Sequence, residues 1–258
     1  SEPDTYDGLD TSPPDPIANR LAAAEWQWRK DLEDLRKPVD KEQWFMTPQT
    51  VNAYYAATMN EMAYPAAYLQ APNFSPSADP AVNYGAIGAT IGHEIGHGFD
   101  DNGSRYDGTG TLKNWWTPQD KTTFEKLGAK LGAQYDEICP FDDGKTCING
   151  KLTMGENIGD LGGLSMAYKA YKLSLKGRQA PVIDGLTGDQ RFFISYAQHQ
   201  RTKYRDAFLR QLMQTDPHSP PFVRFNAVLR NFDPWYAAFD VEPGDELYLP
   251  PEERVRIW

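Results

Sequence analysis

An α+β fold, with a small sheet followed by a mainly helical remainder, is what the order of patterns along this chain predicts. Three observations carry that expectation. Residues 51 to 70 are rich in aromatic and small apolar side chains and are interrupted at Asn60 and Pro65, the pattern of two short strands. Beyond Ala81 the apolar residues recur at helical spacing. The length of 258 residues, with 40% hydrophobic and 24% charged side chains, suits one compact domain or two small ones and excludes wholesale disorder or a fibrous repeat.

Residues 1 to 19 hold four prolines and five acidic residues and no basic one. Such a stretch buries too little apolar surface to offset its ordering entropy and is expected to be an arm or linker. From Arg20 to Arg36 the residues Leu21, Ala24, Trp28, Leu32 and Leu35 follow a helical period, which predicts a helix ending before Pro38. Val51-Asn-Ala-Tyr-Tyr and Glu61-Met-Ala-Tyr-Pro predict the strands, one of them at a sheet edge because Pro65 has no N–H for a ladder. Helices are then expected near 82–99, 118–137, 153–176, 188–214 and 221–238, each bounded by Pro-, Gly- or Asp-rich punctuation.

With 26 basic and 36 acidic residues the formal charge is −10, which disfavours a protein that tracks nucleic-acid phosphates. No apolar run approaches the roughly 20 residues of a membrane span, and the N-terminus has neither a basic n-region nor an apolar h-region. A chain that starts at Ser1 is open to the loss of an upstream signal or anchor. Cys139 and Cys147 flank a short turn-like stretch, compatible with a disulfide or with two free thiols. Asp100-Asp-Asn-Gly-Ser and Asp107-Gly-Thr-Gly-Thr lack the glycine and closing glutamate of a calcium loop and read as turns.

The chemistry concentrates in His93-Glu94-Ile-Gly-His97. Residues four apart on a helix lie close to the same face, so both imidazoles can bind one metal ion. Glu94 projects elsewhere, where it can lean over the ion's open position and take a proton from water. Gly92, Gly96 and Gly98 are poor helix formers and make sense where something approaches closely.

A catalytic zinc normally has three protein ligands. The other histidines are His199 and His218, and a stronger candidate is Glu156 at the start of a predicted helix, on one face with Asp160. Asp160 could accept the second ring N–H of a ligand histidine, and Asp100, three residues after His97, could do the same for the other. Against this, Thr153-x-x-Glu156 is also a capping box, which would spend Glu156 on the helix start. His199 reads as a helix-surface or packed histidine, and His218, between Pro217 and Pro220, as a loop histidine.

Taken together, Val51-Asn-Ala-Tyr-Tyr, the segment from His93 to Gly103, Trp115-Trp116, the segment from Asn149 to Asp160, Asp216-Pro-His-Ser-Pro and Arg254-Val-Arg-Ile-Trp resemble the neprilysin-type metallopeptidases of family M13 from about Arg20 to the last residue. The resemblance implies a zincin-like, thermolysin-type catalytic domain over residues 20–258, with a small mixed sheet with an edge strand and a mainly helical remainder. It implies one zinc ion held by His93, His97 and Glu156, with Glu94 as general base. Asp100 and Asp160 would orient the ligand histidines. His218 would donate to the oxyanion, joining Glu94 and Asp160 in the catalytic set. Asn52, Ala53 and Arg224 would bind the substrate peptide.

Three departures accompany the resemblance. Relatives commonly carry a long N-terminal helical domain that caps the cleft, so this chain is expected to be a fragment, a half that works with another chain, or a short member with an open cleft. The cysteines near the C-terminus of animal members are absent, which points to a bacterial protein, secreted, periplasmic or at the cell surface. The family's apolar pair lining the pocket after the cleaved bond falls on His199-Gln200, so a preference for large apolar residues does not carry over. The expectation is a zinc endopeptidase acting on peptides. The rivals are a zinc-stabilised peptide-binding module and a catalytic fragment inactive without its capping domain.

Overall fold

The structure, a computed structural model, describes residues 5–141 and 144–258. The first four residues of the expected arm lie outside the described residues. The chain separates into two units, Ser1–Thr47 and Pro48–Trp258.

The first unit contains helix α1, Pro16–Asp34. The Asp15 carboxylate accepts hydrogen bonds from the backbone N–H of Ile17 and Ala18, and Pro16 occupies the first turn. An acidic cap followed by proline is a strong start signal. The helix therefore begins before the expected Arg20 and takes residues 16–19 from the predicted arm. Ahead of it the chain folds back on α1, where Trp26 Nε1 donates to the Asp7 carbonyl at 2.9 Å.

The second unit opens with strands β1, Tyr54–Ala56, and β2, Glu61–Ala63, paired antiparallel with Tyr54 opposite Ala63. Asn60 takes a φ of +52° in the connecting turn, a conformation asparagine tolerates. Among the described residues the sheet is this hairpin alone, antiparallel where a small mixed sheet was implied. Pro65 and Pro72 interrupt the chain after β2, and at Pro80 it passes into helix.

Helix α2, Pro80–Asn83, runs through a π-helical turn, Tyr84–Gly88, into α3, Ala89–Gly96, and a 3₁₀ turn, His97–Phe99. Helices α4, Pro118–Asp136, and α5, Met154–Ser174, follow close to their expected limits. The helix expected over 188–214 is two helices, α6, Gly188–His199, and α7, Asp206–Thr215, because residues 200–205 are polar and lack a packing face. The one expected over 221–238 divides into α8, Pro221–Leu229, and α9, Asp233–Phe239. Pro234 begins a new first turn there, and buried Asn231 binds the Ala227 carbonyl and the Val255 N–H across the break. Cys139 and Cys147 are joined as a disulfide.

Helix α5 is the centre of the core. Its Ile158, Leu161 and Leu164 are buried in one cluster with Leu131 and Tyr135 of α4, Phe192 and Phe193 of α6, and Val223 and Val228 of α8. Its other side meets α3 almost backbone to backbone. A Cβ placed on Gly92 would lie 2.5 Å from the Gly163 carbonyl oxygen, and one on Gly163 would lie 2.5 Å from the His93 nitrogen. The glycines that weaken α3 as an isolated helix are what lets α5 touch it.

This contact makes a prediction. Gly163→Ala should lower stability by about 1–3 kcal/mol, the usual cost of overpacking against backbone that cannot yield. Gly128→Ala in α4, where a Cβ would meet only the Met154 sulfur at 3.6 Å, should be neutral or raise stability by up to about 1 kcal/mol. Thermal melts followed by circular dichroism compare the two; equal effects would show that the crossing is not tight.

Candidate metal centre and active site

Helix α3 presents His93 and His97 to one side, their ring centroids 4.5 Å apart and their planes nearly perpendicular. Glu156 enters from the first turn of α5. The capping box that would have retained it does not form. Thr153 instead accepts from Asn157 Nδ2 at 2.9 Å and donates to the Asn149 carbonyl at 3.2 Å, leaving the Glu156 carboxylate free to reach the imidazoles.

One ligand atom from each of His93, His97 and Glu156 lies within 4.8 Å of the others. His93 Nε2 is 3.1 Å from Glu156 Oε2, and His97 Nε2 is 3.7 Å from Glu156 Oε1. A tetrahedral ion with ligand bonds near 2.0–2.1 Å sets its donor atoms about 3.3 Å apart, so the spacing fits a zinc-sized ion. Glu156 Oε2 is buried and makes no aligned hydrogen bond despite its close neighbours. A buried carboxylate oxygen left in that state is costly unless a cation completes it.

The faces of the histidines turned away from this point are held by carboxylates. His97 Nδ1 meets Asp100 Oδ2 at 2.7 Å, while Asp100 Oδ1 accepts from the N–H of Asn102 and Gly103. His93 Nδ1 lies 2.8 Å from Asp160 Oδ1, off the line of an ideal hydrogen bond. Asp160 is in turn gripped by Arg224 through two bonds of 2.7 Å. Burial raises the Asp160 carboxyl, but the Arg224 charge and then His93 outweigh it and bring its pKa down to about 2.

Burial likewise opposes charge on His93, yet Asp160 and Glu156 prevail and push its pKa up to about 9. Burial also raises Glu156, but His218 and His93 overcome it and hold that carboxyl far below its ordinary range. Glu156 is thereby held as the anion that binding a cation requires.

Glu94 is buried at 6% exposure and makes no hydrogen bond or ion pair among the described residues. Burial raises its pKa, with His93 and His97 pulling the other way. On the far side, His218 brings Nε2 to 3.1 Å from Glu156 Oε2 and is steadied by Asp216, whose Oδ1 accepts from His218 Nδ1 and from its backbone N–H, each at 2.8 Å. The loop that carries His218 is tied to α5 by Ser219 Oγ, which donates to buried Asn157 Oδ1 at 2.8 Å.

His93, Glu94, His97, Asp100, Glu156, Asp160 and His218 line a cleft of about 740 Å³ that also takes in Asn52, Ala53 and Arg224. Asn52 and Ala53 sit just ahead of β1, not within it. The structure therefore gathers every site residue singled out from the sequence along one cleft. It adds Asp216, Asn157, Tyr68 and Thr90, for which the sequence offered no role. His199 is packed, one of the two readings expected for it, and it faces the same cleft.

The family model described as Peptidase family M13 matches residues 52–255. Neprilysin-1 of Caenorhabditis elegans is 38% identical over 99% of this chain and 34% of its own length. Neutral endopeptidase of Lactobacillus helveticus is 36% identical over 98% of this chain and 37% of its own length. A crystal structure of the Mycobacterium tuberculosis zinc metalloprotease Zmp1 in complex with an inhibitor is 54% identical, with a TM-score of 0.89, over 93% of this chain and 37% of that one. The chain thus spans about a third of the length of these relatives. Among the described residues no helix is long and apolar enough to cross a membrane.

The Asp100 contact yields a prediction. Asp100→Asn replaces an acceptor with an amide that cannot hold His97 Nδ1–H in the same way, so affinity for zinc should fall about 10–100-fold. Competition with a chromophoric chelator measures it, and an unchanged dissociation constant would remove Asp100 from the metal's support.

Proposed function

The chain belongs to peptidase family M13, and we propose that it is the catalytic region of a zinc endopeptidase that hydrolyses peptide bonds with water, using Glu94 as general base. The observation that carries this is the convergence of two imidazoles and a carboxylate beside a second, buried carboxylate that bonds to nothing. In this reading His93, His97 and Glu156 hold one zinc ion, a ligand set of the gluzincin kind. Bound there, zinc supplies Lewis acidity that acidifies water and polarises a peptide carbonyl.

The remaining work falls to the protein's own groups. Glu94 takes the proton of the attacking water and hands it to the leaving amine, a task suited to a carboxyl raised by burial. His218, steadied by Asp216, donates a hydrogen bond to the carbonyl oxygen as that oxygen gains charge. Asn52 and Ala53 hold an extended peptide beside the open edge of β1, and Arg224 adds a donor for a substrate carbonyl. Asp100 and Asp160 keep the ligand imidazoles in one orientation.

The catalytic region in this proposal is residues 20–258, preceded by the acidic arm. An extracytoplasmic location is supported by the Cys139–Cys147 disulfide, since such bonds persist in oxidising compartments. A second reading is favoured by coverage of about a third of the relatives' length. There, this region binds zinc and peptide but turns over only beside a further helical capping domain or chain. Peptidase activity that appears only when the complementary region is added would select that reading.

Glu94→Gln is the direct test. Zinc content by elemental mass spectrometry should stay at the parent value, while kcat/KM on a fluorogenic peptide should drop about 10²–10⁴-fold, the range for loss of a general base. Hydrolysis at the parent rate would contradict the assignment.

A further inference from the structure

On the wall of the cleft, one helical turn from His93 and Glu94 along α3, three side chains that the proposed mechanism does not use form a closed triangle. Tyr68 Oη lies 2.9 Å from Thr90 Oγ1, and His199 Nε2 lies 3.1 Å from the first and 3.2 Å from the second. His199 Nδ1 is buried without a hydrogen-bond partner. All three residues line the cleft that holds the candidate metal ligands.

A count of hydrogens shows what this triangle can do. Burial, and then the Arg224 cation, bring the His199 pKa down to about 4, so near neutrality the imidazole is uncharged and carries one N–H. The three groups therefore share three hydrogens, one from the ring and one from each hydroxyl. If Nε2 is protonated, its N–H serves the hydroxyl oxygens and one hydroxyl donates to the other. The second hydroxyl hydrogen is then unspent. If Nδ1 is protonated, Nε2 can accept from a hydroxyl and both hydroxyls are used, but the Nδ1–H is unspent. Every tautomer leaves one donor over. Among the described residues neither Thr90 Oγ1 nor Tyr68 Oη bonds to any atom outside the triangle.

The location sets the occupant. A helical turn is about 5.4 Å, while an extended peptide advances about 3.4 Å per residue with side chains alternating in direction. The wall is thus within reach of the side chain of a residue next to the scissile bond. In the Nε2–H tautomer an aliphatic side chain there would bury the spare hydroxyl hydrogen without an acceptor, which is the unfavourable case. We infer that His199, Tyr68 and Thr90 form a polar recognition wall that selects peptides bearing an oxygen acceptor, of the Asn, Gln, Ser or Thr class, on a residue flanking the cleaved bond. The inference rests on the peptidase reading and specifies its substrate.

The test uses peptides that differ only by Asn in place of the nearly isosteric Leu, at each of the two positions flanking the scissile bond. For one position, His199→Leu in the zinc-loaded protein should shift the Asn:Leu ratio of kcat/KM about tenfold toward Leu, the scale of one hydrogen bond. Thr90→Val, which removes a hydroxyl at nearly constant volume, should shift it the same way. Ratios unchanged within twofold at both positions in both variants would overturn the wall. Calorimetric titration of the same peptides into Glu94→Gln, with and without the His199→Leu change, gives a readout independent of turnover. The Asn peptide should lose its advantage on that change, and equal affinities throughout would overturn the inference. Failure of the parent protein to hydrolyse any peptide would count against the peptidase reading, while the titration would still decide the wall.

Discussion

The contact on which the site depends is the near-touching of α3 and α5 along Gly92, Gly96, Gly159 and Gly163. A Cβ on Gly92 or Gly163 would lie 2.5 Å from backbone of the facing helix and force the two apart, and one on Gly159 would lie 2.9 Å from His93 Nδ1. Glu156 and Asp160 are carried on α5, and His93 and His97 at the C-terminal end of α3. The spacing of the donor atoms therefore depends on how closely the two backbones pack. The cost in helix propensity, roughly 1 kcal/mol for each glycine relative to alanine, is offset by the core built on the opposite face of α5.

Burying this many charges is the second constraint. Asp160, Arg224, Glu156 and the two histidines are removed from water, and isolated ions there would cost several kcal/mol apiece. The structure answers with a chain of partners that runs from Arg224 to Asp160 to His93 and on to Glu156. Within it one carboxylate oxygen is still unsatisfied. Glu94, excluded from the chain, keeps a carboxyl raised by burial and free of bonds. In the proposed mechanism, support and reactivity are thus divided between neighbouring residues of one helix.

The part of this arrangement legible from the sequence was the part governed by spacing. The four-residue interval between His93 and His97 and the interval between Glu156 and Asp160 each define a helix face, whatever the tertiary fold. The identity of the third metal-site residue was not decided by local pattern, because Thr153-x-x-Glu156 satisfies a capping box equally well. What settled the geometry was the buried bond between Asn157 and Thr153, which no local rule anticipates. The triangle that His199 forms was not legible for a related reason: its partners Tyr68 and Thr90 are 131 and 109 residues away in sequence. Helix starts were read well at Pro118, Gly188 and Pro221, but not at Pro16 or Pro234, where a proline also opens the first turn. They were missed where one periodic stretch is broken by a buried side chain, as at Asn231, or by a polar run with nothing to pack against, as after α6. The sheet is small, as expected, but its two strands are adjacent in the chain and pair antiparallel, so no mixed sheet forms among the described residues.

X-ray absorption at the zinc edge on the purified, zinc-loaded protein tests the central claim most directly. A first shell of two imidazole nitrogens and carboxylate or water oxygens near 2.0–2.1 Å, with one zinc per chain, is the predicted result. Sulfur scattering near 2.3 Å, a shell with a single imidazole, or the absence of stoichiometric zinc would contradict a metal centre assembled from His93, His97 and Glu156.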